Sequence, residues 1–196
     1  GETTGSGLTI GNYNTALGYG ALATSVDGDY NTAIGHKALQ DYEDGDGNGH
    51  NTAVGNSSQL NATTGEYNTS LGSLSIGVGV TTGDANTALG YQAGQALTSA
   101  GNNVLVGNNA GDALTAGGAN IAIGSNALGT EDSYGYNVAV GHNALATLDT
   151  DANAYNTAVG YEAGKLMSTG ARNTVIGAIA GDSMTTGTDN TIVGER

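Results

Sequence analysis

The chain has 196 residues, among them 35 Gly, with no Cys, Pro, Trp or Phe. This excludes a disulfide framework and a thiolate metal site, and it leaves Tyr as the only large aromatic available to a core. Eighteen acidic residues against four basic ones give a net charge of −14, the wrong sign for a nucleic-acid partner or an anionic membrane surface. No apolar run approaches the roughly 18–20 residues of a spanning helix, so no membrane insertion is expected.

Along the chain, the first recognisable element is the pentad Asn14-Thr15-Ala16-Leu17-Gly18. The same order of Asn, a β-branched or small residue, a mostly small residue, an aliphatic one and Gly returns at Asn31, Asn51, Asn68, Asn86, Asn103, Asn120, Asn137, Asn156, Asn173 and Asn190. The spacings are 17, 20, 17, 18, 17, 17, 17, 19, 17 and 17 residues. A period near 17 with tolerated insertions is the mark of a stacked repeat. It predicts an all-β parallel β-solenoid of about 11 coils, one repeat domain over residues 1–196, with each pentad a short strand. After each pentad Gly come two residues, then Ala or Ser, then usually Leu or Gly, as in Ala21-Leu22, Ala93-Gly94 and Ala144-Leu145. This reads as a second strand of the coil. A polar loop follows and carries the length variation, the longest insertion lying between Gln40 and His50.

Within a strand, residues two apart share a face. Position four is always aliphatic (Leu17, Ile34, Val54, Leu71, Leu89, Val106, Ile123, Val140, Val159, Ile176, Val193), and position two is Thr in eight copies and Val or Ile in three. Hydrophobicity alone assigns this pair to the coil interior. The small residues at position three (Ala16, Ala33, Ala53, Ser70, Ala88, Ala122, Ala139, Ala158) then face outward, as a contact surface for a sister chain. The Asn that opens every pentad is expected to form a hydrogen-bonded ladder, since stacked coils place equivalent residues about 4.7–4.9 Å apart. The competing reading is an Asn that only opens a turn. One or two aliphatics per coil, at roughly 1.5–3 kcal/mol each, face a backbone entropy cost of roughly 1 kcal/mol or more per ordered residue. Association with further copies is therefore expected, and a parallel homotrimer fits best.

Repeats such as Asn86-Thr87-Ala88-Leu89-Gly90-Tyr91-Gln92-Ala93 and Asn156 to Ala163 resemble those of phage tail-fibre and other trimeric fibre proteins. They are also similar to the head repeats of trimeric autotransporter adhesins, although the period of about 17 is longer than in those heads. The similarity runs from about Leu8 to Gly194. It implies a left-handed, β-roll-like trimer that serves as a structural or adhesive fibre segment, extracellular, on a virion tail fibre or a bacterial cell surface. No enzymatic activity is expected. The implied partners are further copies of the chain, side by side as a homotrimer or end to end as a filament, and a cell-surface glycan or protein receptor. A polysaccharide-cleaving spike and an ice-binding solenoid are rivals; inward-pointing Thr rows count against the second.

The candidate chemistry is sparse. The alternating oxygen ligands Asp44, Asp46 and Asn48 match the opening half of a calcium loop, but Gly55 stands where the closing Glu belongs. Calcium is thus a possible ligand, and no other cofactor is implied. Asp27 to Asn31 and Asp149 to Asn153 carry the same alternation. Tyr30, Tyr42 and His50, in or beside the longest loop, are the candidate receptor or glycan contacts, because Tyr combines a flat face with a polar tip. Tyr recurs just before the pentad Asn and just after its Gly, a register that predicts stacking along the rod.

Overall fold

The computed structural model describes residues 1–43, 49–77, 79–131 and 133–196. Eleven strands form one parallel sheet in chain order: β1 (Thr15–Leu17), β2 (Thr32–Ile34), β3 (Thr52–Val54), β4 (Thr69–Leu71), β5 (Thr87–Leu89), β6 (Val104–Val106), β7 (Ile121–Ile123), β8 (Val138–Val140), β9 (Thr157–Val159), β10 (Thr174–Ile176) and β11 (Thr191–Val193). Pairing is in register throughout, so Thr15 lies beside Thr32 and Ile121 beside Val138. No helix occurs among the described residues. The chain is an all-β parallel solenoid whose coils are set by the pentad repeat.

Each strand is only three residues long because both ends are pinned. At its start, the buried Asn is the acceptor rung of a ladder that runs the length of the sheet. The backbone N–H of each pentad Asn donates to Oδ1 of the Asn in the coil before, at 2.8–3.1 Å, for all ten steps from Asn14 to Asn190. The side-chain amide then spans its own coil: Nδ2 of Asn68 donates to the Gly83 carbonyl and that of Asn103 to the Gly117 carbonyl. The residue before each Asn supplies the turn. It is left-handed at every copy, from Tyr13 (φ 58°) to Asp189 (φ 59°). At the strand's end the pentad Gly adopts φ between 128° and 142°.

The side-chain phase is opposite to the one expected from hydrophobicity. Ala33, Ala53, Ala88, Ala122, Ala139 and Ala158 at position three are fully buried, as is Ser70. The aliphatic residues of position four and the Thr of position two point outward. The reason is volume. The far wall of the coil sends in Ala21, Ala38, Ala93 and their equivalents, together with a large residue four or seven positions after the Gly. That residue is Leu22, Leu39, Leu128 or Leu145 in some coils, and Leu97, Leu114 or Met167 in those with Gly at the earlier position. A Cβ on Gly94 would sit 2.7–2.8 Å from Leu105 and Leu97, so the Gly makes room for the Leu. Where Leu stands at the earlier position, little more than a methyl group fits beneath the strand; Gly at that position leaves room for Leu105 and Val175 at position three, both fully buried.

The far wall is not the second strand expected. It is a succession of turns, with left-handed residues at Lys37, Leu39, Asn126, Leu128, Asn143 and Leu145. It still stacks by ladder bonds. The N–H of Leu128 donates to the Ala144 carbonyl of the next coil, and the N–H of Asn143 to the Ser125 carbonyl of the previous one. Alternating donation in both directions satisfies the wall without extended backbone.

Two apolar clusters make up the core, Ala21 to Ala62 and Ile76 to Ala180. Between them lies a polar layer. Ser58 Oγ is 2.5 Å from Ser70 Oγ and 3.1 Å from Ser75 Oγ, and Gln59 Nε2 donates to Ser70 Oγ at 2.8 Å. All four side chains are buried; their mutual bonds offset part of their desolvation, and Gln59 Oε1 has no hydrogen-bond partner.

Glu131 is the one fully buried carboxylate among the described residues. Its Oε2 accepts from Thr150 Oγ1 at 2.9 Å and its Oε1 from the Tyr134 N–H at 3.1 Å. Burial raises its pKa, outweighing these bonds. Folding therefore takes up a proton between the ordinary carboxylate value and the raised one, and stability falls as pH climbs through that window. Glu131→Gln, which keeps an acceptor for the Tyr134 N–H, is expected to raise Tm at neutral pH and to flatten its decline from acid to neutral. Melts across that range check this; an unchanged slope contradicts it.

Candidate functional surfaces

The outer face of the sheet is the most regular feature of the molecule. Positions two and four of eleven strands make two parallel rows, one mostly Thr and one wholly Leu, Ile or Val. Exposure of Leu17, Leu71, Leu89 and Val193 is 62%, 47%, 43% and 70%, unusual for aliphatics repeated in one line. None of the 22 residues in these rows is charged, although the chain carries −14 overall. The Thr rows thus face solvent, which removes the orientation argument against an ice-binding surface.

Aromatic columns border both edges of this face. On the Asn side, Tyr13, Tyr30, His50 and Tyr67 stack at centroid distances of 4.8, 4.7 and 5.4 Å with planes within 12°. Tyr136 and Tyr155 resume the column at 5.0 Å. On the Gly side, Tyr19 stacks on His36 at 5.6 Å and His142 on Tyr161 at 5.5 Å. The spacing follows from the coil rise, since parallel in-register strands place equivalent side chains about 4.8 Å apart. On the Asn side the column continues past Tyr155 as an ion pair, Arg172 Nε to Asp189 Oδ1 at 2.6 Å.

The three residues expected to contact a receptor are divided by the fold. Tyr30 and His50 do lie together, ring on ring and exposed. Tyr42 does not join them. It is fully buried in the N-terminal core cluster, its ring lying 2.8 Å from where a Cβ on Gly28 would be. It is a second large core residue of its coil besides Leu39, at the position that Leu97 and Leu114 take elsewhere, and is not a surface contact.

The calcium motif of Asp44, Asp46 and Asn48 lies outside the described residues. In the two related loops several oxygens are engaged elsewhere, while Asp27 Oδ1 is buried without a hydrogen-bond partner. Asp29 Oδ1 accepts from the Asn12 N–H, Thr150 bonds to Glu131, and Asn153 Oδ1 accepts from the Gly135 N–H at 3.2 Å. Among the described residues no three His, Asp or Glu side chains converge as a metal site would require.

Sequence reasoning missed a groove beside the Asn-side column. Its volume is about 470 Å3, and Asp84, Ser99, Asn102, Ala119, Tyr136 and Asn153 line it. It opens where the column is interrupted, with Ala85, Asn102 and Ala119 standing before the pentad Asn in place of a ring. That break in the Tyr register was the signal available in the sequence.

Comparison with protein-family models, curated proteins and solved structures finds no match to this chain.

Proposed function

We propose that the chain is a non-enzymatic structural and adhesive fibre segment: a stiff rod that associates with copies of itself through the outer sheet face and carries its loops at fixed intervals. A parallel homotrimer with the left-handed winding implied by the repeat resemblance is the preferred assembly, and an extracellular setting, on a virion tail fibre or bacterial surface, the preferred location. The observation that carries this reading is the uncharged double row of Thr and aliphatic side chains on a chain of net charge −14. Like-charged rods repel, so copies meet most favourably where neither brings charge. Ten coil steps of about 4.8 Å and a width near 10 Å make a strip of roughly 500 Å2. Three such strips turned toward one axis bury roughly 1,500 Å2 in the assembly, in the range of a specific interface. The sister-chain surface is thus the aliphatic row and not the alanines once expected there.

Sedimentation of the wild type and of the double variant Ile123→Glu, Val140→Glu tests this. Both side chains point outward, so the fold tolerates them. The expected result is a trimer for the wild type and a monomer with unchanged circular dichroism for the variant. A wild type that stays monomeric at every concentration overturns the assembly.

The outward Thr rows favour one second reading, an ice-binding face. A monomeric rod with measurable thermal hysteresis, lost on Thr87→Lys, would establish it in place of the fibre.

A further inference from the structure

We infer that the groove between Asp84 and Tyr136 is a binding site for a neutral oligosaccharide. Five successive coils contribute to it, through Asp84, Asn102, Ala119, Tyr136 and Asn153 among others. The three coil steps from Asp84 to Tyr136 span on the order of 14–15 Å, room for a chain of a few hexose units. Its end wall is a ring. Tyr136 is half exposed and stacks on Tyr155 on one side only; the preceding coil offers Ala119, a methyl group, against its other face. A pyranose laid on that face continues the column as the next ring would. The apolar C–H face of the sugar meets the negative π-surface of the phenol.

The polar groups suit hydroxyls. Among the described residues, the side chains of Thr82, Ser99 and Asn102 make no hydrogen bond within the chain, so donors and acceptors are free to exchange water for sugar. Asn153 Oδ1 is already bonded to the Gly135 N–H and helps shape the rim. Charge sets the class of saccharide. Among the described residues Asp84 is the only ionised group in the lining, and the chain has a surplus of 14 negative charges. An anionic polysaccharide is repelled and a neutral one is not.

The inference does not depend on the oligomeric state. Nor does it place the sugar at Tyr30 and His50, whose rings are stacked within their column and leave no equivalent gap.

Titration calorimetry of the full chain with maltotriose, cellotriose, mannotriose and chitotriose, and with sialyllactose as the anionic control, tests the site. At least one neutral trisaccharide is expected to bind at millimolar strength or better, and sialyllactose is expected not to bind. Tyr136→Ala should weaken binding roughly three- to tenfold. Ala119→Tyr should abolish it by filling the gap. Both substitutions place at this left-handed position a residue that neighbouring coils already carry there, so circular dichroism and sedimentation should be unchanged. Absence of binding by all four neutral sugars overturns the inference, as does binding that neither variant weakens or that sialyllactose matches. A chain that binds sugar but sediments as a monomer refutes the proposed assembly and leaves the groove in place.

Discussion

Gly124→Ala should destabilise the rod by several kcal/mol, on the order of 2–4. A Cβ there would stand 2.5 Å from both the carbonyl carbon and oxygen of Gly141 in the next coil, and the residue holds φ at 133°. Two costs combine, a dihedral that L side chains avoid and a backbone collision that no rotamer relieves. The next coil cannot retreat, because the Gly141 N–H donates to the Ile123 carbonyl at 2.7 Å and so holds the two coils together at this corner. Urea unfolding followed by far-UV circular dichroism measures the loss. Gly129→Ala is the matched control, since its added methyl would lie 3.5 Å or more from its neighbours. It should be close to neutral. Equal effects at the two sites would contradict the account.

Asn103→Ala should cost about 2–4 kcal/mol. The Asn103 side chain accepts the buried Asn120 N–H at 2.8 Å and donates to Asn86 Oδ1 and to the Gly117 carbonyl, both at 3.0 Å. Truncation leaves a buried amide N–H with no partner and no access for water, which costs the full desolvation of that group. Because each coil touches only its neighbours, the damage should be local. Amide exchange is expected to accelerate around β6 and β7 more than at β1 or β11. Asn190→Ala supplies the comparison, as its side chain is only partly buried. Its loss should be smaller. An Asn103→Ala rod as stable as the wild type would mean the ladder contributes nothing.

The two results concern the parts of the repeat that were most and least open to reading from sequence. A recurring Asn invites a ladder, and the pentad Gly invites a special dihedral. Neither reveals, taken alone, that the Asn side chain turns into the coil. Once it does, the phase of the strand follows. Positions one and three share a face in any extended segment, so a buried Asn31 or Asn120 requires Ala33 or Ala122 to point inward and Ile34 or Ile123 to point out. The argument from hydrophobicity ranked Leu and Val above Ala for burial and so chose the other face. That ranking is sound for a two-layer globular domain. It fails in a coil whose bore is already occupied by Leu128 or Leu145 from the opposite wall; where Gly111 takes that place, the large Leu105 does point inward.

Tyr42 misled for a related reason. Its neighbours in sequence are polar and its loop is the longest, which suggested a surface ring. In the fold it is buried in the same core cluster as Leu39, seven positions after Gly35. Tyr30 and His50 stand before their pentad Asn, and that register carries them to the exposed column.

The sequence by itself determined the repeat, its period, the position of its strands and where its insertions lie, because a parallel in-register stack requires the same residue at the same height in every coil. Only the tertiary structure decided which face of each strand is inside, that the opposite wall is made of turns, and that a gap in one aromatic column becomes a groove. Those outcomes depend on how much volume one coil leaves for its neighbour across the bore, and that competition between facing side chains cannot be read along a single strand.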